Sequence, residues 1–137
     1  MEDSILINKA KELLDNCTIV TIASVNPEGY PRPVPMAKGD TEGWDIIWMA
    51  TGTDSVKVAE FSRNPKAGLS YEKDGSGVSL RGTVEIIHDD EIRKEKWQGW
   101  YINHFPGGPE DPNYTLIKFA ACEATIWIDH EFAHIKL

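Results

Sequence analysis

Hydrophobic positions change period several times along this chain, and each change predicts an element. Near the start Ile5, Leu6, Ala10, Leu13 and Leu14 recur at three- and four-residue spacing, which predicts a helix capped by Ser4. From Cys17 onward the pattern is that of strands. Residues 17–25 run into the turn Asn26-Pro27-Glu28-Gly29, residues 30–38 return, and residues 44–50 follow a Gly-Asp-Thr-Glu-Gly turn. A short helix over 55–64 is stopped by Pro65. Residues 67–73 and 78–88 form a hairpin around Asp74-Gly75-Ser76-Gly77, with Val78, Leu80, Gly82, Val84 and Ile86 turned inward. Residues 89–101 read as a charged helix whose apolar contacts are Ile92, Trp97, Trp100 and Tyr101. A Pro/Gly-rich loop over 105–113 then leads to two last strands, 114–121 and 124–128. Seven short strands at hairpin spacing, with a few flanking helices, predict a mainly β fold built as a small barrel.

Composition narrows the setting. A chain of 137 residues is read as one domain spanning 1–137, able to bury roughly two thirds of its unfolded surface. No linker, low-complexity tract or internal repeat divides it. The net charge of −8, with no basic stripe to offset it, argues against nucleic acid and anionic membranes as partners. Cys17 and Cys122 form no Cys-x-x-Cys pair, so no metal or redox motif is read from them. With no basic, apolar leader and no apolar run of membrane-spanning length, the expected location is the cytoplasm.

Two stretches carry chemistry. Residues 51–57, Thr-Gly-Thr-Asp-Ser-Val-Lys, join a predicted strand to a predicted helix. Such a junction gathers unpaired backbone N–H groups and the positive end of a helix dipole. Lys57 adds a cation where the dipole disfavours one, at a cost of a few tenths of a kcal/mol up to ~1. A bound anion removes that penalty, and phosphate is the natural candidate. The plain alternative is an N-cap at Thr53 or Asp54, with Lys57 in water and directed toward Glu60. The second stretch alternates Pro31, Pro33 and Pro35 with Arg32, Val34 and Met36. One side of that strand lacks successive N–H donors, so it must be an edge. Either proline itself protects the edge, or a flat ligand or second subunit lies along it.

Together these stretches resemble the FMN-binding split barrels related to pyridoxamine 5′-phosphate oxidase, and within them the general stress protein 26 branch. The likeness extends to Asn64-Pro65, Gly82-Thr83-Val84-Glu85, Phe105-Pro106-Gly107-Gly108 and Trp127. It implies a split β-barrel of Greek-key-like connectivity, FMN as cofactor, and a homodimer with the flavin between subunits. By resemblance, Arg32, Pro33, Val34, Pro35 and Met36 run beside the isoalloxazine ring. Ala50 and Thr51 touch the ring or ribityl chain, Ser55 and Lys57 hold the phosphate, and Trp127 lies near the flavin. The oxidases carry an arginine where this chain has Val56, which removes one bidentate phosphate partner. They also carry an Arg-x-His pair for the vitamin substrate, and the matching places here are Ala133 and Ile135. Vitamin oxidation is therefore not expected.

The function implied is an FMN-dependent oxidoreductase, related to stress, that passes electrons between a reduced donor such as NAD(P)H and a small acceptor. The alternative is a non-catalytic module binding FMN, deazaflavin or haem. No catalytic side chain is assigned. His130-Glu131-Phe132-Ala133-His134 fits the zinc-protease pattern, but that chemistry needs a helix and a third ligand, and only three residues follow, so no metal site is expected. Trp97, Trp100 and Tyr101 read as packing; the alternative has them and the 105–108 loop roofing the flavin of the opposite subunit, and His104 is left open.

Overall fold

The computed structural model describes residues 2–137. Helix α1 (Asp3–Asp15) buries Leu6, Ala10 and Leu14, one residue per turn, against the barrel strands. It begins after Glu2, so Ser4 lies inside the helix rather than capping it. The Asn26 carboxamide then shapes the first turn by accepting the N–H groups of Glu28 and Tyr30. That turn joins β1 (Ile19–Val25) to β2 (Pro31–Ala37) in antiparallel register, with Val25, Ala23 and Thr21 opposite the three prolines. Among the described residues β1 is the only strand paired with β2, as the missing donors require.

A two-residue strand, β3 (Thr41–Glu42), pairs with β4 (Ile46–Gly52). Trp44 falls in the turn between them and not in the strand predicted over 44–50. Just after β2 the chain meets β4: the Gly39 N–H donates to Trp48 O (2.9 Å) and the Trp48 N–H to Asp40 O (2.8 Å). These two bonds latch the ends of the sheet together at one point, and no β2–β4 ladder continues beyond them among the described residues. Glycine is required at 39, because a Cβ there would sit 2.6 Å from Trp48 O and would overlap the Tyr101 hydroxyl. Helix α2 (Val56–Arg63) follows β4 and packs on β1 and β6, with Glu60 and Phe61 turned inward.

β5 (Lys66–Lys73) and β6 (Ser76–Ile87) form the predicted hairpin. Its turn residues Asp74 (φ +52°) and Gly75 (φ +83°) both lie in the left-handed region, which suits a two-residue turn. β7 (Tyr114–Ile128) is one long strand where the sequence predicted two. It pairs with β6 throughout, with β4 along its first half and with β8 (Glu131–Lys136) along its second. The change of partner falls at Cys122, which is skipped between the pairs Gly82↔Ala121 and Arg81↔Glu123. The extra residue bends the strand, and two different elements then fit along one edge. The sheet order is β2-β1-β5-β6-β7-β4-β3, with β8 also on β7.

The barrel interior is filled by Leu14, Ile22, Met49, Phe61, Leu80, Phe119 and their neighbours. A second cluster, Trp48, Ile87, Tyr101, Phe105, Tyr114 and Leu116, lies on the other side of β4. Helix α3 (Asp90–Glu95) is much shorter than the predicted 89–101. After it Trp97 turns back onto the edges of Tyr101 and Tyr114, and the chain resumes as a 3₁₀ turn, Gly99–Asn103. Aromatic packing decides that break, together with Lys96, which pairs with Asp40 and sits over the Trp48 ring. No helix among the described residues is long and apolar enough to cross a membrane.

Candidate functional site

The chemistry-bearing residues gather where β2, β4 and α2 diverge from the latch. Ser55 is the N-cap of α2: its Oγ accepts the Val58 N–H (3.4 Å) and the Thr51 hydroxyl lies 3.3 Å away. Thr53 is occupied elsewhere, bonded through its hydroxyl to Pro112 O and through its N–H to Asn113 O, so neither Thr53 nor Asp54 caps the helix. The N–H groups of Val56 and Lys57 are left at the helix end without an intrahelical acceptor.

Lys57 is half-buried, and no carboxylate pairs with it among the described residues. Its pKa lies below the ordinary lysine value, first because burial disfavours the ammonium and then because the Arg32 guanidinium is close. Glu60 is not its partner. The Glu60 carboxylate, only 5 % exposed, accepts from Arg32 Nε (2.7 Å) and from the Ser24 hydroxyl (2.7 Å). The Arg32 bond, then the Ser24 bond, hold its pKa below the usual carboxylate value despite burial. Lys57, in the first turn of α2, is therefore within electrostatic reach of Arg32, and the Glu60 carboxylate one turn further along is held by Arg32 and Ser24.

The residues from Arg32 to Met36 divide between two faces. Arg32 is half-buried on the inner face, Val34 and Met36 pack against the barrel core, and Pro33 and Pro35 are exposed on the outer face. Ala50 and Thr51 border a cavity of about 370 Å³ that Trp100, His104 and Phe105 also line. His104, left open by the sequence, lines this cavity with its ring edge-on to Trp100. Trp127 lies apart from these groups within one protomer. It is 51 % exposed, stacks edge-on to Phe132, and borders a different cavity with Ile19, Thr21 and Ser70.

Sequence reasoning missed Ser24 as a site residue, and the plain alternative that directed Lys57 toward Glu60 does not hold, because Arg32 and Ser24 take that carboxylate. The signal for Ser24 was present: it is the polar residue in the buried phase Val20, Ile22, Ser24 of an alternating strand. The C-terminal histidines do not lie on a helix. His130 sits in the β7–β8 turn (φ +65°), while His134 lies on β8 and contacts Glu123 (2.6 Å) and Thr125 (3.1 Å). Ala133 and Ile135 pack against the core and offer no polar group to a substrate.

An antiparallel barrel latched at one point and open beside α2 is a split β-barrel. Residues 6–136 match the sequence profile of the family Pyridoxamine 5'-phosphate oxidase like, and the chain belongs to that family. Among solved structures it is similar to a Clostridium acetobutylicum protein related to general stress protein 26 of Bacillus subtilis. The two are 27 % identical with a TM-score of 0.88, over 100 % of this chain and 97 % of that one. A putative general stress protein 26 from Jannaschia sp. CCS1 is 21 % identical with a TM-score of 0.82, over 99 % and 100 % of the two chains. A heme binding protein from Mycobacterium smegmatis shares the fold at 12 % identity and a TM-score of 0.76, over 96 % of this chain and 57 % of that one. No curated protein matches the chain.

Proposed function

We propose that the protein binds FMN in the split and acts as an oxidoreductase, with a non-catalytic carrier as the second reading. The observation that carries the proposal is the uncompensated charge at the helix end: among the described residues Lys57 has no carboxylate, and the one that Arg32 has is shared with Ser24. A terminal phosphate placed there would relieve the repulsion between the cations and accept the free N–H groups of α2. Ser55 and Thr51 add hydroxyls at the same end. The ring would then lie along β2 toward Ala50 and Thr51, with Val34 and Met36 beneath it. Bound FMN would supply reversible hydride and electron transfer between a donor such as NAD(P)H and a small acceptor. The chain's own part is to anchor the phosphate, flank the ring with apolar side chains, and keep vitamin-binding charge out of positions 133 and 135.

We also propose a homodimer. Trp127, Phe132 and Ile19 are more than half exposed on the outer sheet surface, which is far more apolar area than a solvated sheet needs. A second copy would bring Trp127 toward the flavin of its partner, which one protomer alone does not do. The carrier reading, with haem as the ligand, is favoured by one observation: His104 faces the cavity beside Ala50, and a fold neighbour binds heme.

The test is a titration of the purified protein with FMN, FAD, riboflavin and haemin, followed by addition of NADH or NADPH without oxygen. FMN should bind more tightly than FAD or riboflavin, and its visible absorbance should bleach when donor is added. Equal or tighter FAD binding overturns the FMN assignment. Tight FMN binding with no bleaching by any donor selects the carrier, and haemin binding that His104→Ala abolishes selects haem.

A further inference from the structure

The buried pair Ser24–Glu60 has no part in the FMN reading as stated, yet a carboxylate beside an anion site works against anion binding unless it does something else. Its geometry suggests what. Both hydrogen bonds to Glu60 converge on the same oxygen, Oε1: the Ser24 hydroxyl from β1 and Arg32 Nε from β2. Glu60 itself comes from the inner face of α2, so three elements meet at one atom. Ser24 is 2 % exposed, so the carboxylate is held by these two bonds in a buried setting.

The Arg32 contact is made through Nε alone. The two terminal NH2 groups of the guanidinium make no hydrogen bond to any described residue. A guanidinium held from the Nε side has a fixed plane and presents its terminal nitrogens outward as a preset fork. Lys57 stands on the same helix as Glu60, three residues earlier and so one turn from the carboxylate that holds Arg32. The helix arginine of the oxidases is replaced here by Val56, so the strand arginine is the remaining source of bidentate grip.

We infer that Glu60, fixed by Ser24, is a positioning residue for anion capture: it holds Arg32 by Nε so that both terminal NH2 groups remain free beside Lys57 to grip a phosphate monoester. This rests on the phosphate reading of the site above. The rotamer entropy that a free arginine loses on gripping an anion is here lost on folding instead. Holding Arg32 in place matters more to binding than the partial neutralisation it suffers.

The experiment reads the ratio of riboflavin to FMN dissociation constants, which isolates the phosphate, in the wild type, Glu60→Gln, Ser24→Ala, Arg32→Lys and the double variant Arg32→Lys/Glu60→Gln. Glu60→Gln keeps the shape and removes the charge. It should lower the ratio about tenfold, the scale of one well-oriented charge-assisted hydrogen bond. In the Arg32→Lys background the same change should alter the ratio less than about twofold, because no fork is left to aim. Ser24→Ala retains the carboxylate and should lower the ratio about threefold; it serves if Glu60→Gln does not fold. A ratio that rises in Glu60→Gln means that Glu60 only cancels Arg32 charge, and the inference is overturned. An unchanged ratio with both ligands weakened equally means a purely structural role, and overturns it too. A wild-type ratio near one removes the phosphate site and this inference with it.

Discussion

Replacing Lys57 by alanine should move ligand binding and protein stability in opposite directions. In the proposed complex the ammonium faces a phosphate at a half-buried helix end, with no carboxylate among the described residues to compete for it. Losing a charge-assisted hydrogen bond of that kind costs about 1.5–3 kcal/mol, or roughly ten- to a hundredfold in FMN affinity. Riboflavin, which lacks the phosphate, should change by less than about twofold. Without ligand, the same ammonium opposes the dipole of α2 and the charge of Arg32, so Lys57→Ala should stabilise the apo protein by about 0.3–1 kcal/mol. The pH dependence follows from the direction of the shift. Lys57 has a lower pKa folded than unfolded, so between those two values the unfolded chain binds more protons and stability rises with pH. The penalty is complete below the folded pKa and gone above the ordinary lysine value. The advantage of the variant should therefore be full at neutral pH and vanish in strong alkali. Flavin fluorescence titration gives the affinities, and urea unfolding at neutral and alkaline pH gives the stabilities. Equal losses for FMN and riboflavin, no loss for either, or a destabilised apo variant would refute the reasoning.

Three further outcomes are expected. Gly82→Ala should cost about 2–3 kcal/mol in urea unfolding, because the new Cβ would lie 2.7 Å from Ala121 Cα and overlap the Ala120 carbonyl where the β7 bulge brings the strands together; an unchanged midpoint would contradict this. Sedimentation at micromolar concentration should give a dimer that Trp127→Ala weakens, and a clean monomer with full flavin occupancy would remove the proposed interface. The double change His130→Ala and His134→Ala should leave flavin content and reduction untouched, whereas stoichiometric zinc that is lost in that variant would revive a hydrolytic reading.

Much of the architecture was legible because strands announce themselves by period. The Asp74-Gly75 hairpin and the edge position of β2 follow from the conformations that glycine and proline permit. Elements set by distant contacts were not legible. The helix predicted over 89–101 ends early because Trp97 packs on Tyr101 and Tyr114, the latter far along the chain. β8 lay hidden beneath a histidine pattern, and its strand character comes from pairing with the far half of β7. At the site, the placement of Ser55 and Lys57 at the start of α2 could be read from the Thr-Gly-Thr-Asp-Ser-Val-Lys junction. The Ser24–Glu60–Arg32 contact could not, since it joins three elements whose mutual placement depends on barrel closure. The separation of Trp127 from that cluster within one protomer was equally invisible in a linear reading.

The three prolines of β2 have a consequence for how copies of this chain can meet. An ordinary edge strand can recruit another chain by extending its ladder, and each recruited chain offers a fresh edge, so that growth has no natural end. Along β2 the outward donors at 31, 33 and 35 do not exist, and a visiting strand would find acceptors with nothing to answer its own carbonyls. Any association through this side must be made by side-chain surfaces meeting face to face. A contact of that kind can close on itself with two-fold symmetry, and it leaves no template from which a filament could grow.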